Sequence, residues 1–305
     1  YWERGPTEMA DYPKPRLDYI NMETARSCLH RSKTSIADTL ELLAGGAKNL
    51  QTLYSSFVMD YRAIGLYRYA LGYPLSDVKQ AFSDAAKAYL KVFDLRGTEP
   101  PFPAYSVTYD PRYPPADPRS LVEFTKLYDE NAKDFSVTSS RRSWLAVCVA
   151  LVAGEDAVAD QLAAMIWDPP DAPYVAWGAL TTPNHQRLAY ALRQLFLGDT
   201  AGVASELKGL RPRKTQPDIG YQAIMVRALA INERPVFMEG LWPLLAWHEK
   251  QARLSENREL PEFYVCISGL ALCNLAVRRQ LCTFEDLPRD NVFLPVNLIA
   301  PLMSH

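Results

Sequence analysis

Histidine is scarce in this sequence, and long apolar runs are missing. Only four of its 305 residues are histidine. The longest apolar run, residues 263–277, is about 15 residues long, whereas a membrane-spanning helix needs roughly 18 or more. Lysine and arginine number 33 against 35 aspartate and glutamate, which leaves a formal net charge of -2. Since neither sign dominates, we predict no nucleic acid and no membrane as partner; a protein partner must be recognised by a local surface.

The cysteine pattern of a disulfide framework is also missing. The cysteines are odd in number, form no Cys-x-x-Cys pair and mostly stand among apolar helical neighbours, where a thiol behaves as a small buried hydrophobe. A reducing compartment is therefore expected, and we predict the cytoplasm. The sequence begins with tyrosine and not methionine, so a removed leader and a periplasmic location stay open. The five cysteines are Cys28, Cys148, Cys266, Cys273 and Cys282.

No assembled catalytic chemistry is visible in the sequence. The histidines lack the close spacing of metal ligands, and we expect them at the surface or at helix caps; they are His30, His185, His248 and His305. Phosphate-binding loops, dinucleotide fingerprints and Gly-x-Ser-x-Gly elbows do not occur. Adjacent Glu155 and Asp156 could be taken for a catalytic pair, but they open a predicted helix, where the helix dipole already explains two acids. We therefore predict no metal, no cofactor and no enzymatic activity.

What the sequence does contain is a succession of helical hairpins. A helix that ends in an apolar residue followed by glycine, with its successor starting at once, is typical of a tight hairpin. Asparagine can take the left-handed conformation that glycine takes at such a junction. Because no strong run with a period of two residues is present, we predict an all-α fold of stacked hairpins, a bundle resembling a tetratricopeptide array or α-solenoid. The junctions are Leu71-Gly72, Ala153-Gly154, Leu197-Gly198 and Ile231-Asn232.

Several individual helices can be placed from the apolar pattern. At the N-terminal end we predict two helices, over 21–33 and 35–44. Residues 143–152 are apolar on every side, which indicates a helix buried in the centre of the stack. A second buried helix is predicted over 261–281, and the apolar tail 293–303 is expected to dock on the bundle.

Proline-rich stretches set the predicted domain limits. Residues 1–16 form an extended arm in this interpretation, and residues 17–305 form a single helical domain. The proline-rich loop 97–117 joins two candidate subdomains within it, 17–96 and 118–305.

Candidate partner-binding residues lie in two proline-rich loops, where aromatic side chains stand among charged ones. Tyrosine, tryptophan and arginine are enriched at binding hot spots because each combines a large contact area with a polar group. Proline lowers the ordering cost of binding. The more usual alternative for loops this long is that the aromatic side chains fold back onto the ends of the stack. The candidates are Tyr105, Tyr109, Arg112 and Tyr113 in the first loop and Tyr174 and Trp177 in the second.

A further candidate surface is a short basic run at a hairpin exit, formed by Arg211, Arg213 and Lys214. Three cations so close together could meet an acidic partner. A solvated linker is the more usual explanation of a short charge run. The sequence leaves both explanations open.

Four stretches carry a resemblance to a known family. They are Tyr-Arg-Ala-Ile-Gly-Leu-Tyr-Arg-Tyr-Ala-Leu-Gly-Tyr at 61–73, Ala-Ala-Lys-Ala-Tyr-Leu at 85–90, Leu-Val-Ala-Gly-Glu at 151–155 and Leu-Phe-Leu-Gly-Asp at 195–199. Together with the N-terminal helix pair, they make the chain resemble the immunity protein 49 family. Members of that family are all-helical immunity proteins of bacterial polymorphic-toxin systems.

The resemblance implies a cytoplasmic or periplasmic protein that binds a cognate secreted toxin, often one delivered by type VI secretion, and blocks its active site or its activation. It implies no catalytic residues. The expected partner is therefore a cognate toxin, neutralised by stoichiometric binding, and a homodimer stays open. One alternative is a helical-repeat adaptor or regulatory scaffold that binds a peptide or helix in a groove. Another is an enzyme with an unfamiliar helical active site, which would show a deep pocket with convergent polar groups.

Overall fold

A computed structural model describes residues 16–95 except Asp18, residues 140–166 and residues 183–299. The predicted all-α class is confirmed: these residues form eleven α-helices, two short 3-10 helices and no strand. The solenoid order of the hairpins and the division into subdomains stay predictions. The α-helices are α1 (Met22–Ala44), α2 (Leu50–Ala70), α3 (Leu75–Asp94), α4 (Ser140–Ala153), α5 (Asp156–Ala164), α6 (Pro183–Leu197), α7 (Thr200–Glu206), α8 (Pro217–Ile231), α9 (Arg234–Ala252), α10 (Ile267–Arg278) and α11 (Val296–Ile299).

The N-terminal end holds one helix where the sequence predicted two. Helix α1 runs without a break because no proline or glycine stands between its halves. Two of its threonine hydroxyls bond to carbonyls of the preceding turn. Thr34 Oγ1 donates to the His30 carbonyl at 3.2 Å, and Thr39 Oγ1 donates to the Ser35 carbonyl at 2.7 Å. The side chain of Asn21 caps the start of the helix.

The four predicted hairpin junctions are confirmed. Gly72, Gly154 and Gly198 have positive φ angles, and Asn232 takes the left-handed conformation at φ 57° and ψ 45°. After each of them the next N–H donates to the carbonyl five residues back, for example from Asp199 to Gln194 at 2.9 Å. This bond satisfies a carbonyl that the helix itself leaves open.

The centre of the molecule is formed by α4 and α10. From Ser143 to Ala153 every residue of α4 is buried except Leu145, which confirms the predicted buried helix. The second predicted helix, over 261–281, is wrong in its first turns. The chain there forms a 3-10 helix, Pro261–Phe263, and α10 starts only at Ile267. The main chain at this interruption forms a hydrogen bond with another segment of the core.

That segment is the stretch of main chain just before α11. The Cys266 N–H donates to the Phe293 carbonyl at 2.8 Å, so it is not available to an α-helical bond. Phe293, Leu294 and the apolar residues of α11 are buried, and α11 packs against α3, α4 and α10. The predicted docking of the tail is confirmed over 293–299, and its remaining residues lie outside the described part.

Arginine side chains bond to main-chain carbonyls at or just beyond helix ends. The last carbonyls of a helix have no partner within it, and a guanidinium donor from a neighbouring element supplies one. These bonds join elements that are distant in sequence, in addition to the apolar core. They run from Arg16 to Tyr73 at 2.7 Å, from Arg227 to Leu207 at 2.9 Å, from Arg279 to Leu195 at 2.6 Å and from Arg187 to Lys208.

Candidate functional site

The predicted partner-binding residues fall into two groups. Those of the two proline-rich loops, namely Tyr105, Tyr109, Arg112, Tyr113, Tyr174 and Trp177, lie outside the described residues. The other three, Arg211, Arg213 and Lys214, lie between α7 and α8. We call residues 211–214 the basic turn.

The side chains of the basic turn are exposed, while its backbone packs against α8. Its three cationic residues are exposed, and none of them forms an ion pair with a carboxylate among the described residues. The turn is closed by an antiparallel bridge between Arg213 and Gln216. Beneath it lies Gly220 of α8, where an added Cβ would stand only 2.1 Å from the Pro212 nitrogen. The backbone of the turn therefore packs directly against α8, which fixes the points at which the three side chains leave the main chain.

A cleft of about 300 Å³ lies between α2, α4, α6, α8, α9, the 3-10 helix Pro261–Phe263 and the start of α10. We call it the central cleft. Trp144, Trp247 and Phe263 contribute aromatic walls. The indole N–H of Trp144 donates to Ser268 Oγ at 3.1 Å, which orients both side chains. The polar lining of the central cleft consists of Arg62, His185, Asp218, Gln222, His248, Glu262 and Ser268.

The sequence did not predict the central cleft, because its lining comes from elements far apart along the chain. No local spacing connects Arg62 of α2 with Asp218 of α8 or Glu262 of the 3-10 helix. A signal was present in Ser268, a polar residue within the apolar run 263–277, and in Trp144, whose indole N–H needs an acceptor when it is buried. Polar or amphipathic residues on a buried helix require a partner or a cavity.

One histidine of the cleft contradicts the sequence prediction. We expected the histidines at the surface or at helix caps, yet His248 is only 5% exposed. Its Nε2 lies 3.0 Å from the Phe263 carbonyl. Because a carbonyl oxygen can only accept, Nε2 carries the hydrogen, and burial lowers the pKa of the imidazole to about 4. His248 is therefore a neutral core residue at pH 7.

Cys266 also lines the central cleft, and a cysteine and a histidine in one cleft raise the question of a nucleophile. Burial raises the pKa of Cys266 to about 12, while that of His248 is about 4. A base with so low a pKa does not remove a proton from a thiol with so high a pKa at neutral pH. The pair consequently stays neutral and provides no thiolate.

The remaining cysteines follow the prediction. Cys148, Cys273 and Cys282 are buried, Cys28 is half-buried, and all five thiols are free. Burial raises the pKa of Cys148 and of Cys273 above the usual range. Within the described ranges, no group of histidine, cysteine and acidic side chains could hold a metal ion. No described helix is both long enough and apolar enough to cross a membrane.

The two adjacent acids connect helices. Glu155 is the residue before α5 and Asp156 opens that helix, as predicted. The Glu155 carboxylate accepts a hydrogen bond from Ser83 and lies 3.3 Å from the ammonium of Lys87. The Ser83 bond is the largest cause that lowers its pKa. Asp156 forms an ion pair with Arg278 of α10 at 3.3 Å, so the two acids tie α5 to α3 and to α10.

A smaller pocket of about 130 Å³ opens beside the central cleft. We call it the arginine pocket, because Arg62 and Arg142 line it. Arg62 and Leu145 also line the central cleft, so the two cavities adjoin along α2 and α4. The other lining residues are Ser55, Val58, Met59, Tyr89 and Val92.

The described residues thus form an all-α structure with a basic turn packed on α8 and two adjoining cavities. Comparison of the chain with protein-family models, with curated proteins and with solved structures finds no match.

Proposed function

We propose that this chain is an immunity protein that binds and neutralises a cognate secreted bacterial toxin by stoichiometric protein–protein interaction. The observation that carries the proposal is the basic turn, where three cationic side chains stand exposed on a backbone held against α8. A surface that is ordered before binding loses less entropy when a partner docks. Exposed cations with no ion-pair partner also speed the encounter with an acidic protein.

In this proposal the central cleft has no catalytic role. Cys266 and His248 are both neutral at pH 7, so these two residues supply no thiolate. An immunity protein needs affinity and specificity and no reacting group. It acts where the toxin arrives, in the cytoplasm or periplasm, as a monomer or a homodimer.

The first test is co-expression with the product of the adjacent gene. We expect the two proteins to copurify in a fixed ratio and the chain to rescue growth of cells that make the partner. A chain that neither binds nor rescues is not an immunity protein for that partner.

The second test asks whether the basic turn carries the binding. Replacing Arg211, Arg213 and Lys214 by glutamine should raise the dissociation constant at least 10-fold, since each charge-assisted contact is worth roughly 1.5–3 kcal/mol. Because the residues are exposed, the melting temperature should stay unchanged. A matched control replaces the equally exposed Lys33, Lys48 and Lys91 by glutamine. If both triple variants bind the partner equally weakly, binding depends on the net charge of the chain and not on the basic turn.

The loop residues predicted from sequence supply an independent variant. Replacing Tyr109, Arg112 and Tyr113 by alanine should weaken binding without loss of melting temperature. A lowered melting temperature would favour the alternative in which these side chains pack on the stack.

A helical-repeat adaptor is the second candidate, and the central cleft favours it. A 300 Å³ cleft with three aromatic walls and several polar groups could accept side chains of a bound peptide or helix. In that case Trp247→Ala should abolish binding while the triple variant of the basic turn binds normally. The toxin-binding proposal expects the reverse.

A further inference from the structure

The central cleft contains a buried amide that the described residues leave unpaired. Gln222 of α8 lines the cleft and is only 9% exposed. Among the described residues, neither its amide nitrogen nor its amide oxygen has a hydrogen-bond partner. Both atoms nevertheless keep some exposed surface, so a molecule in the cleft can reach them. Because buried amides in native structures normally have partners, Gln222 offers a donor and an acceptor to a ligand.

The hairpin of α8 and α9 brings this amide and an aromatic wall into the same cleft. Gln222 follows Asp218 by four residues, which puts both on one face of α8. On α9, Leu244 and Trp247 stand three residues apart and line the same cleft. Asn232 closes the hairpin in the left-handed conformation, so the two helices pack against each other.

Two aromatic side chains of the cleft keep part of their ring surface open to a ligand. Trp247 and Phe263 line the cleft and are half-buried. Phe263 is held in place, because its carbonyl accepts from His248 and its ring centroid lies 6.0 Å from that of the imidazole. Flat aromatic groups pack against such rings in offset or edge-on arrangements. The walls therefore favour a flat aromatic ligand.

The charged residues of the cleft carry both signs. Arg62 lines it from α2, Asp218 from α8 and Glu262 from the 3-10 helix. A cation in the cleft would meet the guanidinium and an anion would meet the carboxylates, so an uncharged ligand is favoured over either. The volume of about 300 Å³ lies at the lower end of ligand pockets, which range from roughly 300 to 1,000 Å³. A single small ring system suits it.

The edge of the ligand follows from the chemistry of Gln222. A side-chain amide presents N–H donors beside a carbonyl acceptor, so it pairs best with an edge that carries an acceptor beside a donor. Glutamine pairs in this way with the N7 and N6 edge of adenine. We infer that the central cleft binds an uncharged heteroaromatic ring of the nucleobase class, with Gln222 pairing to its edge and Trp247 packing on its face.

This inference goes beyond the proposed toxin binding and does not rest on it. A free base and the base of a nucleoside share the same edge. The probe for the first is 9-methyladenine, and the probe for the second is adenosine. Saturable binding of 9-methyladenine alone assigns the cleft to a free base, and binding of both probes assigns it to a nucleoside as well.

The experiment is a titration of isotope-labelled protein, followed through the indole N–H signals of Trp144 and Trp247 and the side-chain amide signal of Gln222. The probe 9-methyladenine should shift them in a saturable manner. The indole signal of Trp242, which is exposed and does not line the cleft, should stay in place. The matched control is 9-methylpurine, which has the same rings without the amino group and should bind at least about 5-fold more weakly.

The first variant tests the amide. Gln222→Met should weaken binding of 9-methyladenine at least about 5-fold and should reduce the difference between the two purine probes. Its melting temperature should not fall, because the deleted amide has no partner among the described residues. Gln161→Met removes an exposed amide of α5 that does not line the cleft, and this variant should bind as the wild type does.

The second pair of variants tests the aromatic wall. Trp247→Leu should weaken binding of both purine probes, and Trp247→Phe should restore most of the affinity, because it returns an aromatic face to the cleft. The inference would be overturned by the absence of a saturable shift with 9-methyladenine. Equal affinity for 9-methyladenine and 9-methylpurine, or unchanged affinity in Gln222→Met, would overturn it as well.

Discussion

The basic turn and helix α4 place polar and apolar groups in opposite ways. In α4 nearly every side chain from Ser143 to Ala153 is buried. In the basic turn three charged side chains are exposed, and only the backbone is packed. Burial keeps the ionisable groups of the core neutral, as His248 and Cys266 show. The difference teaches that the rigid core supplies position, while the groups available for recognition stay at its surface.

The largest effect is expected from a substitution in the buried helix α4. Leu151 of α4 is fully buried, so Leu151→Ala should lower the free energy of unfolding by about 3 kcal/mol through lost contacts and a cavity. Its matched control is Leu197→Ala, at a position that is 59% exposed. The control should change stability by no more than about 0.5 kcal/mol. Urea denaturation measures both, and equal losses would contradict the distinction.

The neutral state of His248 makes the core sensitive to acid. Its pKa is lowered from 6.5 to about 4, so between these pH values the unfolded chain binds a proton that the folded chain does not. Stability therefore falls as the pH drops from 6.5 to 4, by up to about 3 kcal/mol, and this contribution is constant above pH 7.

The measurement compares the wild type with His248→Gln at pH 7, 5.5 and 4.5. The variant should lose less stability on acidification, because glutamine does not titrate and its amide can still donate to the Phe263 carbonyl. The carboxylates titrate in both proteins, so their effect cancels in the difference. Parallel stability curves would show that His248 is not the acid-sensitive group.

Gly220 connects the two regions, and its substitution should affect both. In Gly220→Ala the new Cβ meets the Pro212 backbone, so the turn must move, at a cost of about 2 kcal/mol. Trypsin should then cleave faster after Arg213 and Lys214. The control is Gly45→Ala, where an added Cβ approaches no atom closer than 3.4 Å and φ is ordinary. Unchanged cleavage would mean that the turn is not seated on α8.

The smallest effect is expected at a hairpin junction. Gly198 has φ +76° and no atom near the position of an added Cβ, so Gly198→Ala tests backbone conformation alone. The expected loss is about 1 kcal/mol. Gly198→Asn should lose less, because Asn232 already occupies the same conformation at an equivalent junction. Equal losses for the two variants would show that the side-chain amide does not help there.

Much of the helical framework could be predicted from the sequence, because it depends on local rules. Helix α6 ends at Leu197, at the predicted junction Leu197-Gly198, because the glycine can take the left-handed conformation that closes the helix. The apolar surface of α4 predicted its burial for a similarly local reason. The prediction of two N-terminal helices was wrong because a run of serine, threonine and lysine weakens a helix without breaking it, and α1 continues through that run.

The site was harder to predict because it depends on contacts between distant residues. The basic run was visible in the sequence, but its seating on Gly220 depends on packing that no spacing reveals. The two cavities combine α2 with helices that follow it by 80 residues or more, as Arg62 and Arg142 illustrate. The burial of His248 likewise depends on Phe263 and Phe293, which lie beyond its own helix.

The arginine bonds at the helix ends affect how the sequence can change during evolution. Arg187 donates to the main-chain carbonyl of Lys208, and Lys208 is exposed. Every residue type carries that carbonyl, so position 208 can mutate freely without loss of the bond, whereas position 187 cannot. Substitutions should accumulate faster at such acceptor positions than at the arginines. Two diverged sequences could therefore retain the same hydrogen bonds between helix ends while sharing few identical residues.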